Sequence, residues 1–219
     1  MIAEILPPGV ASCDAFGDFG PPAAVRLFPE EAAAVEGVVA GRLREFTTVR
    51  GCARAALARL GLPPAPLVPG HGGAPQWPSG VVGSMTHCSG YRAAAVAPGS
   101  RHPGIGIDAE PDEPLPAAVA RRLFSPAERA ALAALEANPG RGGPVAYDRL
   151  AFCAKEAAFK AWFPLTGRPA GPLEVEVLPA AGGTFTARPP GTPAGEPLHG
   201  RWAARDGLLV AAVVLTAPA

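Results

Sequence analysis

Pro111, Pro114 and Pro116 break the chain near its middle, and the same kind of pattern lies on either side: helix first, then short strands. Proline has no amide hydrogen to give a helix or a sheet, so this stretch ends whatever precedes it and marks a junction. Upstream, Pro29–Leu60 is rich in Ala, Val, Leu, Glu and Arg and stops at Gly61, Pro63 and Pro64, a helix-end signal. Phe46, Val49, Ala53, Leu57 and Leu60 keep the spacing of one apolar helix face. After a Gly/Pro-rich loop, Val68–Gly80, come three strand candidates: Val81–Met85, Tyr91–Ala97 and Gly104–Glu110. Downstream, Ser125–Glu136 opens on a serine cap followed by a first-turn proline. A stronger helix, Val145–Phe163, is closed by Pro164 and Gly167. The strand candidates Leu173–Leu178, Thr184–Arg188, His199–Arg205 and Leu208–Leu215 follow, the last two joined by the hairpin signal Asp206-Gly207. The order predicts an α+β fold of two related halves, residues 1–114 and 115–219, although no sequence repeat is visible.

Composition removes several classes of function. Nineteen basic residues balance nineteen acidic ones, so nothing global points to nucleic acid, and an anion site must be a local cluster. No apolar run approaches the roughly 20 residues that span a bilayer. The start, MIAEILPPGVASCDAF, lacks the basic and continuous apolar regions of a secretory signal, so the expected compartment is the cytoplasm. Cys13, Cys52, Cys88 and Cys153 form no CxxC pair and are expected as reduced thiols. Of the nineteen basic residues only Lys155 and Lys160 are lysine, which leaves seventeen arginines. Both lysines fall in the stretch KEAAFK, where a compact ammonium is not interchangeable with a planar guanidinium.

Three constellations carry chemistry. In Gly104–Glu110, alternation on a strand puts Asp108 and Glu110 on one face and Ile105 and Ile107 on the core side. Two such carboxylates repel unless a cation sits between them, and clustered oxygen ligands suit Mg²⁺ or Mn²⁺; an exposed strand end explains them equally well. In Phe152–Ala161, Glu156 lies on the edge of a stripe shared by Phe152, Phe159 and Phe163. A carboxylate leaning toward the packed side needs a metal or a partner, and Lys160, one turn on, is the simple partner. Lys155 falls on the other side of the stripe, so a surface pair does not explain it. In Gly83–Cys88, His87 after a strand suits phosphate binding or a structural role. A zinc site from His87, Cys88 and Cys153 matches the spacing of no zinc module. Neither a GxxxxGK[ST] loop nor GxGxxG is present.

In order and spacing, GSMTHCSGY, GIGIDAE and FCAKEAAFKAW, with REFTTVRGCARAALARLG and GGAPQWPSG upstream, resemble the 4′-phosphopantetheinyl transferases of the surfactin- and enterobactin-synthetase-activating type, in their high-G+C bacterial branch. The resemblance covers about residues 40 to 168. It implies a pseudo-dimer, each half a long helix packed on a small antiparallel sheet, with coenzyme A in the cleft between. It further implies that Asp108, Glu110 and Glu156 ligate Mg²⁺, with Asp108 also close to coenzyme A. Lys155 would stabilise phosphate charge and Lys160 would orient Glu156. Arg42, Arg50 and His87 would bind the 3′-phosphate and nearby groups, with Ser84 and Thr86 lining the same pocket. Relatives carry a lysine in the loop before the GxPxWP segment; here Leu67–His71 has none, which leaves His71 or an arginine in its place, or weaker coenzyme A binding.

The implied reaction moves the phosphopantetheine arm of coenzyme A to a serine of an apo acyl or peptidyl carrier protein of a polyketide, nonribosomal peptide, siderophore or fatty acid synthase. Glu156 is the candidate base. Carrier recognition is expected to use the segment after Pro116, and a cleft made within one chain lets a monomer work. A coenzyme A-binding regulator without turnover and a metal-dependent hydrolase acting on the holo carrier are the competing readings.

Overall fold

The computed structural model describes residues 1–18, 25–137, 144–192 and 196–217. Its architecture is α+β, with two antiparallel sheets. The first has strand order β1-β3-β2, from β1 (Ala11–Phe16), β2 (Val81–Cys88) and β3 (Tyr91–Pro98). The second has the order β4-β8-β7-β6-β5, from β4 (Ile105–Pro111), β5 (Glu176–Ala180), β6 (Thr184–Arg188), β7 (Leu198–Arg205) and β8 (Leu208–Val214). Each sheet carries one 20-residue helix: α2 (Ala40–Arg59) on the first and α5 (Tyr147–Thr166) on the second. Shorter helices precede them: α1 (Pro29–Ala33), then α3 (Ala117–Leu123) and α4 (Pro126–Ala137).

The alanine-rich strand Tyr91–Pro98 explains how the layers fit. Along β3, Ala94 and Val96 pack toward Cys52, Ala53 and Leu57 of α2, while Ala93, Ala95 and Ala97 pack toward Ile105, Ile107, Val210 and Ala212. A strand covered on both faces is apolar throughout, and small side chains let both layers approach it. The second close approach is between β4 and α5. A Cβ on Gly106 would stand 1.8 Å from the Ala157 carbonyl oxygen, and one on Gly104 would stand 2.5 Å from that of Ala161. Glycines facing alanines let the helix backbone lie on the strand, and this brings Asp108 under α5.

Several expectations change. The helix expected over Pro29–Leu60 is two helices, interrupted where Gly37 takes φ +75°, a conformation costly for other residues. Pro164 lies in the last turn of α5, and Gly167, left-handed at φ 64°, caps it. Pro172–Glu174 is a 3₁₀ turn, so β5 begins at Glu176 instead of Leu173. Asp206 and Gly207 both have positive φ and make the expected tight hairpin between β7 and β8. Strand β4, expected with the first half, is an edge of the second sheet and pairs with β8. The sheets therefore divide between β3 and β4, upstream of the 114/115 junction.

Candidate active site

The edge of β4 that does not pair with β8 faces β2, and side chains join the two strands there. The Ile107 amide donates to Ser84 Oγ (3.1 Å) and the Ala109 amide to Thr86 Oγ1 (3.1 Å). Buried amides need acceptors, and two hydroxyls of β2 supply them where a backbone ladder does not. Beside this seam lies a cleft of about 710 Å³. Arg42 and Arg50 of α2, Ser84, Thr86 and His87 of β2, Asp108 of β4, and Glu156, Phe159, Lys160 and Phe163 of α5 line it. Residues from both halves thus meet on one cavity.

Asp108 is nearly buried, 5% exposed. Its Oδ1 accepts from Thr86 Oγ1 (3.0 Å) and from Lys160 Nζ (2.6 Å), while its Oδ2 is buried without a hydrogen-bond partner. An unsatisfied buried carboxylate oxygen is costly, and it is a free donor for a cation. Lys160 also donates to the Ile107 carbonyl (3.3 Å). Burial works against its charge, but Asp108 and Glu156 outweigh it and lift the ammonium above its ordinary range. The expected partner of Lys160 was Glu156; the structure gives it Asp108. The carboxyl of Glu156 is pushed up by burial and by the charge of Asp108, with Lys160 working the other way. A carboxyl held up by burial and by a neighbouring carboxylate marks a place in the cleft suited to positive charge.

Glu110 stands differently. Its Oε2 accepts from Arg149 Nη1 (3.1 Å), and Arg149 Nε donates to the Glu113 carbonyl (3.0 Å). Burial and Asp108 raise the Glu110 carboxyl, and Arg149 offsets part of that rise. Among the described residues no group of three His, Cys, Asp or Glu side chains stands assembled to hold a metal ion. Arg149 was not anticipated from sequence. It sits two turns before Glu156 on α5, and only the packing of α5 on β4 brings it to Glu110.

On the opposite wall, Arg42 Nη1 donates to His87 Nε2 (2.6 Å), while His87 Nδ1 lies 3.6 Å from Glu45. Burial and then Arg42 lower the imidazole's affinity for a proton, so His87 is held neutral. Glu45 also pairs with Arg42 (3.4 Å) and Arg92 (3.6 Å), a role that no periodicity signals. Arg50 is buried, with its guanidinium over the Phe46 ring at 3.2 Å and its Nε donating to the Leu67 carbonyl (3.2 Å). His71, in the loop before the GxPxWP segment, stacks on Phe163 of α5, ring centroids 5.6 Å apart.

Two expected site residues do not line the cleft: Glu110, paired with Arg149, and Lys155, which lies on the far face of α5. Lys155 is 2% exposed and donates to the carbonyls of Pro172 (2.8 Å) and Val175 (2.6 Å) and to Glu128 Oε1 (2.7 Å). Burial lowers its proton affinity and Glu128 restores part of it. The structure thus places the Lys155 ammonium, with all its partners, on the far face of α5.

Comparison with known proteins agrees with this geometry. A family described as the 4′-phosphopantetheinyl transferase N-terminal domain matches residues 30–97, and the 4′-phosphopantetheinyl transferase superfamily matches residues 104–214. The boundary between the two matches falls where the sheets divide. The chain is 52% identical to the 4′-phosphopantetheinyl transferase Svp of Streptomyces mobaraensis, over 100% of this chain and 91% of that protein. It is 42% identical to PptT of Mycobacterium tuberculosis, over 98% of each chain, and 42% identical to Npt of Nocardia iowensis, over 97% and 99%. The chain belongs to the 4′-phosphopantetheinyl transferase superfamily. No helix among the described residues is long and apolar enough to cross a membrane.

Proposed function

We propose that this protein transfers the 4′-phosphopantetheine arm of coenzyme A to a serine of an apo acyl or peptidyl carrier domain, releasing adenosine 3′,5′-bisphosphate. The observation that carries the reading is the two-sided cleft: arginines and a neutral histidine on one wall, carboxylates and a lysine on the other. The names of the relatives support the reaction type. Arg42, Arg50 and His87 bind the 3′-phosphate side of coenzyme A, with Ser84 and Thr86 lining the pocket while their hydroxyls hold β4. Lys160 keeps its charge and offers it to the phosphate oxygens near Asp108. Glu156, whose carboxyl burial and Asp108 push above its ordinary range, takes the proton of the carrier serine.

Asp108, Glu156 and Glu110 would hold Mg²⁺ or Mn²⁺. The donor set suits either ion, and the unpartnered Oδ2 of Asp108 is an oxygen waiting for a cation. Such an ion, when bound, neutralises charge on the diphosphate. Glu110 would join that set in place of its pair with Arg149. The segment after Pro116 forms α3, whose Val119 is exposed and suits an apolar contact with the carrier. The cleft is lined by residues of one chain, which suits a monomer.

Incubation with coenzyme A, Mg²⁺ and an apo carrier domain, followed by weighing the carrier, tests the reaction. A gain of one phosphopantetheine is expected. Loss of the arm from a holo carrier would instead indicate the hydrolase, and coenzyme A binding with no mass change on any carrier would indicate the regulator.

A further inference from the structure

Two fully buried carboxylates lie outside the cleft, one in each half, and they are built alike. Glu31 (0% exposed) sits in the first turn of α1 and Glu128 (2% exposed) in the first turn of α4. Each follows a first-turn proline: Phe28-Pro29-Glu30-Glu31 and Ser125-Pro126-Ala127-Glu128. Each turns one oxygen back to cap its own helix, Glu31 Oε2 accepting from the Phe28 amide and Glu128 Oε2 from the Ser125 amide, both at 2.9 Å. A capping glutamate normally stays on the surface with its other oxygen in water. Here that oxygen reaches inward to a second backbone amide, Leu67 for Glu31 (2.9 Å) and Val177 for Glu128 (3.0 Å). Each also meets a cation from the long helix of its own half: Arg54 of α2 through Nη1 at 3.0 Å, and Lys155 of α5 at 2.7 Å.

What each carboxylate holds differs. Leu67 is gripped at both ends, its amide by Glu31 and its carbonyl by Arg50. It leads into residues 69–75, several of which line the cleft. Glu31 therefore sets the coenzyme A wall. Lys155 precedes Glu156 on α5, and its ammonium ties the outer face of that helix to Glu128 and to the turn before β5. With α5 fixed from outside, Glu156 and Lys160 point inward at Asp108. Glu128 therefore sets the wall with the reacting groups.

We propose that Glu31 and Glu128 are positioning residues, Glu31 for the coenzyme A-binding wall and Glu128 for the wall that carries Glu156 and Lys160. The proposal rests on the transferase reading. It differs from a purely structural role in expecting opposite kinetic signatures from two chemically equivalent changes. Removing one charge from such a pair leaves the other buried and poorly matched, so its helix shifts to relieve it.

Glu31→Gln is expected to raise KM for coenzyme A about tenfold with kcat within about twofold, and Glu128→Gln to lower kcat about tenfold with KM within about twofold. Hydrogen exchange on the same proteins reports without turnover. Glu31→Gln should speed exchange in 67–77, and Glu128→Gln in α5 and 172–177. Should either variant fail to fold, Arg54→Lys and Glu128→Asp keep the charge, alter the geometry and are expected to show the same split. Equal losses in kcat and KM from both sides, or exchange raised uniformly in both, would overturn the proposal. A wild-type protein that leaves the carrier's mass unchanged would sink the transferase reading instead, and the exchange patterns would still decide the positioning roles.

Discussion

The two halves use one scaffold to build opposite walls of one cleft. In both, a 20-residue helix lies on an antiparallel sheet, is preceded by a short helix and is tied to a buried capping glutamate. Yet α2 turns Arg42 and Arg50 to the cleft, whereas α5 turns Glu156 and Lys160 to it. Among the described residues, the strand glycines that meet a helix backbone are Gly104 and Gly106 of the second half. The difference teaches where tolerance lies. A wall made of long arginines can adjust by side-chain rotation. A wall whose carboxylates oppose each other across a strand and a helix depends on backbone position.

The sharpest way to break that contrast is Gly106→Ala. The new methyl has nowhere to go but into the Ala157 carbonyl, so a loss of more than about 3 kcal/mol is expected, read from the urea midpoint. An equally stable variant would mean that α5 is free to lift off β4. The seam between the sheets comes next. Thr86→Val leaves the Ala109 amide without its acceptor and takes a donor from Asp108; Ser84→Ala orphans the Ile107 amide. Each is expected to cost about 1–3 kcal/mol, checked by thermal unfolding.

Smaller effects sharpen the electrostatics. Arg149→Gln should change stability by less than about 1 kcal/mol, because the pair it breaks is partly solvated. It should move the Glu110 carboxyl further up, since Arg149 is what holds it down, and carboxyl NMR titration follows this. The smallest effect is at His87. Its proton affinity is lowered in the fold, so its contribution to stability is complete above its ordinary value of 6.5 and is lost as the pH falls through the lower folded value. In His87→Gln the drop in Tm between about pH 7 and about pH 5 should therefore shrink.

The long helices and seven of the eight strands, β5 with its start displaced, were legible in the sequence because their periodicity is local and strong. Alternation put Asp108 and Glu110 on one strand face, and helical spacing put Glu156 at the edge of an aromatic stripe. The structure brings Asp108, Glu156 and Lys160 onto one cavity. What was not legible is non-local. Nothing in the spacing assigns β4 to the second sheet, because that depends on its pairing with β8, about a hundred residues later. Strand β1, with Ser12, Cys13 and Asp14 in its middle, shows no clean alternation. Lys155 was rightly seen to lie off the stripe, but its partner Glu128 sits 27 positions upstream on another helix. Arg149 and Glu45 have ordinary helix-surface surroundings in the sequence and acquire their partners only when the layers close.

The proposed function gives Glu156, on the wall held by α5, a chemical role beyond helping to bind coenzyme A. The most direct measurement is the mass of an apo carrier after incubation with coenzyme A, Mg²⁺ and Glu156→Gln protein, with coenzyme A binding measured in parallel by calorimetry. The expected result is retained coenzyme A binding with the carrier's mass unchanged. Near-normal conversion to the holo carrier by that variant would contradict the account.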